Sequence, residues 1–295
     1  MINFIEKILR KKKSSVGVET IPLTEEQRKL FRSRKEGVYP SQWITGSAQS
    51  VGRQREHNED ALFCMNSVIA EGNSSTTFGI FIIADGMGGH EYGEVASSTA
   101  VHVMGENLVK DIFLSYLNIQ AGAQNESLQE KMESAVEQVQ KLVMKKAPGG
   151  GTTMTAAVVL GDKVTLAHVG DSRAYFVHAE GRMEPITQDH SLVRRLQELG
   201  QITEDEAITH PQRNVLYRAI GQAEPFRPDI QTLEMPPQAS LMICSDGLWG
   251  VISEKEMFRI IRSSESPAAA CSQLVKAANE AGGPDNITVI LVEPA

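Results

Sequence analysis

Phe78-Gly79-Ile80-Phe81-Ile82-Ile83-Ala84-Asp85-Gly86-Met87-Gly88-Gly89-His90 is the stretch around which the rest of the chain is read. Its first seven residues form an apolar run dominated by β-branched and aromatic side chains, which predicts a buried strand. The run stops abruptly on Asp85, with Gly86, Gly88 and Gly89 behind it. A carboxylate at the end of a buried strand is costly unless something cationic meets it. Glycines after it let backbone approach a ligand, or take dihedrals that other residues avoid. Alone, the stretch reads equally well as a strand closing in an Asp-Gly turn.

On the N-terminal side, residues 46–52 read as a first strand that leads into Arg53-Gln54-Arg55-Glu56-His57-Asn58-Glu59-Asp60-Ala61. Residues 62–67 are apolar again, and 71–77 read as a polar hairpin loop. On the C-terminal side, 94–108 and 127–146 have helical periodicity, the second stopped by Pro148-Gly149-Gly150-Gly151. Residues 152–160, 164–169 and 174–178 read as strands, with turn signals at Gly161-Asp162 and Glu180-Gly181. Strands this close, with no helix between them, predict an antiparallel sheet. Residues 187–221 are mixed and polar, as expected of an excursion over the surface. Residues 239–245 form another apolar strand ending on Asp246-Gly247. Helices are expected over 253–262 and 267–281, the first with Ser253 and Glu256 spaced as a capping box. Gly282-Gly283-Pro284-Asp285 is a turn before a last strand, 286–292.

The chain has 295 residues, 41% hydrophobic and 22% charged, which suits a soluble protein with a sizeable core. The first 40 residues carry 10 Lys/Arg against 5 Asp/Glu, and the remaining 255 carry 19 against 32. The body is therefore acidic and ill suited to nucleic acid. Cys64, Cys244 and Cys271 have no CxxC spacing, so a disulfide framework is not expected and a reducing, cytoplasmic setting is. Cysteine-based phosphate chemistry needs Arg six residues after the Cys. Here those positions hold Ala70, Gly250 and Ala277. No apolar run approaches a membrane span, and the N-terminus lacks the pattern of a cleavable signal. Ile2, Phe4, Ile5, Ile8 and Leu9 fall on one side of a helix followed by Arg10-Lys11-Lys12-Lys13. That pattern suits contact with an anionic membrane or a partner, although a solvated tail is the commoner outcome. Residues 14–20 read as a linker and 23–35 as a charged helical segment closed by Pro40.

Asp85, Asp246 and Asp285 each stand at a strand end beside glycine or proline, and Glu59-Asp60 is an acidic pair before a strand. If the strands lie side by side, these groups converge on one rim. Two carboxylates about 4 Å apart repel by roughly 4 kcal/mol at an effective dielectric of 20. Such a cluster persists when cations fill it, and all-oxygen ligands favour magnesium or manganese over zinc. Two ions sharing a carboxylate lie about 3.5–4 Å apart and can hold a hydroxide between them, which is hydrolytic chemistry on a phosphate ester.

Eight stretches in order resemble the metal-dependent serine/threonine protein phosphatases of type 2C, in their bacterial form. They are RQREHNEDA, ADGMGGHEYGEVAS, GGGTTMTAAVV, AHVGDSRAYF, ITQDHSLVRRLQELGQIT, HPQRNVLYRAIG, SDGLWG and GGPDNITVI. The resemblance implies an α+β fold, a central sandwich of two antiparallel β-sheets flanked by helices, with the metals at one end. It implies a basic N-terminal extension and linker over 1–40 and a catalytic domain over 41–295. Asp85 would bridge two Mn2+ or Mg2+ ions, helped by the Gly86 carbonyl. Asp246 and Asp285 would complete the first ion's set, and Glu59 and Asp60 would serve the second, Glu59 through water. Arg55, five residues before Asp60, would grip the substrate phosphate, its planar guanidinium suiting bidentate contact. Residues 187–221 would be the variable flap beside the site. The substrates implied are phosphorylated proteins, with a cognate serine/threonine kinase as functional counterpart, for a monomeric enzyme without nucleic-acid partners.

Three features depart from the family's pattern or leave a gap. Where some members carry a His that protonates the leaving alcohol, this chain has Met87, and His90 lies three residues on. A weak third metal is implied at Asp171, but the carboxylate expected four residues after Asp246 is replaced by Gly250. His190 and His210 fall in the flap and are expected to be solvated loop histidines. Two alternatives stand beside the phosphoprotein phosphatase: a catalytically dead member that binds phosphoprotein, and a phosphatase of a small phosphorylated metabolite.

Overall fold

The computed structural model describes residues 42–71, 74–88, 91–117, 126–222 and 226–295. The predicted N-terminal amphipathic helix, the 14–20 linker, the 23–35 segment and His90 lie outside the described residues. Among the described residues, no helix is long and apolar enough to cross a membrane.

Two five-membered strand paths make the core. One sheet runs β1 (Trp43–Ser50), β11 (Ile287–Pro294), β10 (Ser240–Cys244), β7 (Arg173–Val177), β8 (Met183–Pro185). The other runs β2 (Asp60–Glu71), β3 (Ser74–Met87), β5 (Met154–Leu160), β6 (Lys163–Val169), β9 (Asp229–Glu234), with the short β4 (Gly151–Thr152) pairing the end of β3. Every pair is antiparallel, as the strand spacing predicts. The expected two-sheet sandwich flanked by helices is the fold observed.

The run at 78–84 is continuous rather than alternating because β3 is covered on both faces. Phe81 and Ile83 point between the sheets, against Ala157, Leu166, Leu241, Ile243 and Ile290. Phe78, Ile80, Ile82 and Ala84 point outward, under helices α1 (Glu91–Leu108) and α2 (Leu128–Lys146). Strand β11 repeats the plan: Ile290 and Val292 face the inter-sheet core, while Ile287, Val289 and Leu291 face the helical layer on the opposite side. That layer contains α6 (Glu254–Ser263) and α7 (Pro267–Glu280). Burying each Ile or Phe contributes about 1.5–3 kcal/mol. The layers are therefore helix, sheet, sheet, helix.

Several boundaries differ from the expectation, each for a local reason. β3 does not stop at Asp85; Gly86 and Met87 continue it by pairing with Thr152 and Gly151. β2 and β3 are longer than the apolar runs, because pairing carries them through polar residues as far as Glu71 and Ser74. The polar loop expected over 71–77 is thus mostly strand. α1 begins at Glu91 and passes through a π-helical turn, Val109–Phe113, into a short helical piece, Leu114–Leu117. α2 starts with a full capping box between Ser127 and Glu130. The box expected at Ser253 is half made: Ser253 accepts from the Glu256 N–H, but the Glu256 carboxylate accepts from Arg259 instead. Strands β8 and β9 have no strong apolar signature and were not expected. The surface excursion at 187–221 contains α3 (Leu192–Glu198) and α4 (Glu204–Ile208), capped by Ser191 and Thr203. Asp246 opens a single helical turn, α5 (Asp246–Trp249).

Candidate metal centre

Antiparallel pairing brings the starts of β2 and β11, the ends of β3 and β10 and the β6–β7 turn to one end of the sandwich. The register sets Asp60 directly opposite Asp85, and Cys244 opposite both Val289 and Arg173. Asp60, Asp85, Asp171, Asp246 and Asp285 therefore gather, although 225 residues separate the first from the last. Burial pushes the Asp85 carboxyl well above its ordinary pKa, and the charges of Asp60, Asp246, Asp171 and Asp285 push further. Burial and the neighbouring Asp246 do the same to Asp171. Asp246 is raised by burial and by Asp285 to about 6, against a hydrogen bond from Asp85 that holds it down. Asp60 is raised by burial to about 7, although hydrogen bonds from Thr288 and Ser245 oppose the shift.

The donor set fits hard divalent cations. Asp60 Oδ1 and Asp246 Oδ1 are buried and have no hydrogen-bond partner. Two orphaned carboxylate oxygens in a crowd of like charges are what a cation would satisfy. Among the described residues, however, no three His, Cys, Asp or Glu side chains yet surround one point as a finished shell. Two sets of contacts occupy carboxylate oxygens of the rim. Arg55 Nη2 donates to Asp285 Oδ2 at 2.7 Å. Asp60 Oδ2 is taken by the Ser245 and Thr288 hydroxyls at 2.9 and 2.6 Å. Arg55, expected to meet phosphate, here neutralises a carboxylate expected to meet metal.

The backbone around these groups is tightly held. The Asp85 N–H donates to Thr153 Oγ1 at 3.0 Å, and the Asp85 carbonyl accepts from the Thr152 hydroxyl and the Thr153 N–H at 2.8 Å each. Asn286 spends its whole amide on the loop that carries Arg55 and Glu59. Its Nδ2 donates to the carbonyls of Val51 and His57 at 2.8 Å each, and its Oδ1 accepts from the Glu59 N–H at 2.7 Å. Trp249 Nε1 donates to the Asp171 carbonyl at 3.0 Å. The Arg173 guanidinium lies 3.6 Å over the same indole and pairs bidentately with Asp189. Sequence reading missed Ser245, Thr288, Asn286, Thr152, Thr153 and Trp249 as parts of the site. The available signal was hydroxyl and amide side chains inside or beside apolar strands, where they need partners.

Gly86 lies against Gly93 and Glu59. A Cβ on Gly86 would stand 2.3 Å from the Gly93 carbonyl oxygen and 2.6 Å from that of Glu59. A Cβ on Gly93 would meet the end of the Glu59 side chain, Oε2, at 2.0 Å. The two substitutions should therefore behave differently. Gly86→Ala must move backbone and is expected to destabilise the fold by about 2–3 kcal/mol. Gly93→Ala should cost under about 1 kcal/mol, because Glu59 can swing away. It should nevertheless raise the manganese requirement, since Glu59 leaves its place. Denaturant midpoints and manganese titrations of both variants check this, and equal destabilisation would count against the packing described.

One of the two flap histidines differs from expectation. His190 is buried, with 2% exposure, rather than solvated. His210 caps a turn through the Gln212 N–H. Cys244 is a core residue as expected, its thiol pushed up by burial to about 12. Four residues after Asp246, a Cβ on Gly250 would fall 2.7 Å from the Asp246 carbonyl oxygen. Restoring a carboxylate there would loosen the turn that carries Asp246.

The raised carboxyls have a consequence for stability. In metal-free protein they bind protons more tightly folded than unfolded, where an Asp titrates near 3.8. Unfolding free energy then falls as pH rises through the folded values. Buried His168, held down to about 4 from 6.5, opposes this trend, but only below pH 6.5. Stability in EDTA is thus expected to fall between pH 6.5 and about 8, and saturating manganese should abolish the fall. Denaturant midpoints at both pH values, with and without metal, measure it.

An antiparallel double sheet with aspartates gathered at one end defines a class of proteins built around a strand-end carboxylate rim. The chain belongs to the protein phosphatase 2C family, whose model matches residues 44–287. It is 35% identical over 250 residues to the serine/threonine phosphatase Stp of Listeria innocua, covering 82% of this chain and 92% of that one. It is 35% identical over 246 residues to the protein phosphatase PhpP of Streptococcus pneumoniae, covering 82% and 94%. The solved serine/threonine phosphatase of S. agalactiae matches with a TM-score of 0.71 at 32% identity, over 85% of this chain and 99% of that one. The catalytic domain of the phosphatase PstP, solved with two manganese ions, matches at 0.67 and 28% identity, over 86% and 99%.

Proposed function

We infer that this chain is a metal-dependent serine/threonine protein phosphatase, hydrolysing phosphoserine and phosphothreonine esters with two Mn2+ or Mg2+ ions. The carrying observation is the convergence of five aspartates with two orphaned carboxylate oxygens at one end of the sandwich. Asp85, Asp246 and Asp285 would hold one ion. Asp85, the Gly86 carbonyl, Glu59 and Asp60 would serve the second, and Asp171 a weak third. When bound, the ions screen the carboxylates, polarise the phosphoryl oxygens and activate water.

The chain's own groups do the rest. Ser245 and Thr288 turn Asp60 so that its second oxygen stays free. Thr152 and Thr153 fix the Asp85 backbone. Arg55 leaves Asp285 for the phosphate. Its pair is half-exposed, so little free energy opposes the exchange. Met87 has no proton to give, so the leaving alkoxide takes its proton from water. The similarity to serine/threonine and protein phosphatases favours a phosphorylated protein segment over a small metabolite. Cognate kinase targets, a cytoplasmic setting and a monomer complete the reading.

The test is phosphate release from p-nitrophenyl phosphate, a phosphothreonine peptide and sugar phosphates, with manganese and with EDTA. Manganese-dependent turnover favouring the peptide is expected. Failure on every ester would favour a binding member, and preference for sugar phosphates would move the substrate class. The proposed catalytic domain is 41–295, so deleting 1–40 should leave turnover on p-nitrophenyl phosphate within about twofold. If those residues contact membrane, full-length protein should sediment with anionic vesicles at low salt and the truncated chain should not. A well-folded truncation without activity would refute the boundary.

A further inference from the structure

His190 belongs to the surface excursion, yet it is buried against the turn that carries Asp171. Its N–H donates to the Gly170 carbonyl at 2.7 Å. Its Nδ1 accepts the Gly170 N–H at 3.1 Å. Both backbone polar groups of Gly170 are thus engaged by one residue. Gly170 has φ +108° and packs on Thr153, where a Cβ would come within 2.5 Å of the threonine side chain. A side chain there would be excluded on both counts, by φ and by Thr153. An imidazole that accepts at Nδ1 carries its proton on Nε2. Nε2 faces Asp229 Oδ2 at 3.1 Å, at the start of β9. Arg218 Nη1 donates to the other oxygen of Asp229 at 2.7 Å and also lies 3.1 Å from His190 Nε2, and the Tyr217 N–H donates to the His190 carbonyl at 2.9 Å. His190 therefore joins the Gly170–Asp171 turn to the outgoing arm of the flap and to β9.

We propose that His190 is a positioning residue that locks the Gly170–Asp171 turn to the flap, so that the seating of the flap and the placement of the Asp171 carboxylate are one event. A flap displaced by substrate pulls on Gly170 through two hydrogen bonds, and Asp171 is the next residue. The opposite side of Asp171 is held by Trp249, so movement of the turn is felt as a change in carboxylate direction. The functional consequence rests on Asp171 as a ligand. The lock itself does not.

Two conservative variants separate the two sides of the imidazole. In His190→Asn, the amide oxygen can occupy the place of Nδ1, keeping the acceptor for Gly170 and abandoning Asp229. In His190→Gln, the longer amide reaches toward Asp229 and leaves the Gly170 N–H without its acceptor. Hydrogen exchange of the Gly170 amide, read by NMR on metal-free protein, reports the lock without metal or turnover. His190→Asn should retain protection, while His190→Gln should exchange at least about tenfold faster, as expected for one lost hydrogen bond. In manganese titrations of peptide turnover, His190→Gln should need several-fold more metal for the last part of the activation, and His190→Asn should stay within about twofold of wild type. Loss of Gly170 protection in His190→Asn, or equal exchange in the two variants, overturns the lock, and the Asn variant alone suffices if Gln does not fold. Exchange as expected with identical manganese curves would overturn the link to Asp171 and leave the phosphatase reading intact.

Discussion

Asp246→Asn is expected to lower turnover by at least about a thousandfold, roughly 4 kcal/mol, while the metal-free protein becomes more stable. Asp246 stands on the rim, in a helical turn opened by Ser245, and packs no core. Its Oδ1 is buried without a partner, and its neighbours Asp85 and Asp285 are also acidic. Replacing it with an amide removes one negative charge from a cluster whose members repel. On the proposed assignment it also removes an anionic ligand from the first ion, and a transition state that depends on that ion would lose several kcal/mol. The two effects have opposite signs, which makes the variant informative. Melting in EDTA at pH 8 should rise above wild type, and phosphate release in saturating manganese should nearly vanish. Unchanged turnover would remove Asp246 from the site. A fall in metal-free stability would mean that Asp246 is a packing residue after all.

Arg55→Ala is expected to split in the same way. kcat/KM for a phosphopeptide should fall about a hundredfold, near 3 kcal/mol, mostly through KM, because the proposed charge-assisted phosphate contact would be lost. The manganese needed for half-activation should stay the same or fall a few-fold, because Asp285 is freed from the 2.7 Å ion pair. That gain is limited to about 1 kcal/mol, since the Arg55 side chain is 50% exposed and the pair is screened by solvent. Arg53 is the control. Its N–H donates to the Gly283 carbonyl, so it is held by backbone and its side chain is dispensable to the anchor. If Arg53→Ala causes the kcat/KM loss and Arg55→Ala does not, phosphate is met by the other arginine.

The class of fold was legible from patterns that physics imposes locally. Continuous apolar runs at 78–84 and 239–245 predicted buried strands, and turn signals between closely spaced strands predicted antiparallel pairing. Asp85, Asp246 and Asp285 were legible as a convergent set because strand ends beside glycine and proline must lie on a rim. The eight ordered motifs then named the family. β8 and β9 were not legible, since a short strand at a sheet edge is polar and takes its shape from its partner.

What only the tertiary structure decided is which group meets which. Composition cannot say that Ser245 and Thr288 both aim their hydroxyls at Asp60 across the two sheets. Nor can it say that Asn286 clamps the Arg55 loop, or that Arg55 rests on Asp285. These contacts join residues up to 235 positions apart. His190 shows the same limit: a polar loop residue by sequence, it is buried because Gly170 and Asp229 offer its two ring nitrogens complementary partners. The residue types that carry charge and the strands that carry them follow from local chemistry. Their pairing follows from register and packing, which exist only once the sheets have closed on one another.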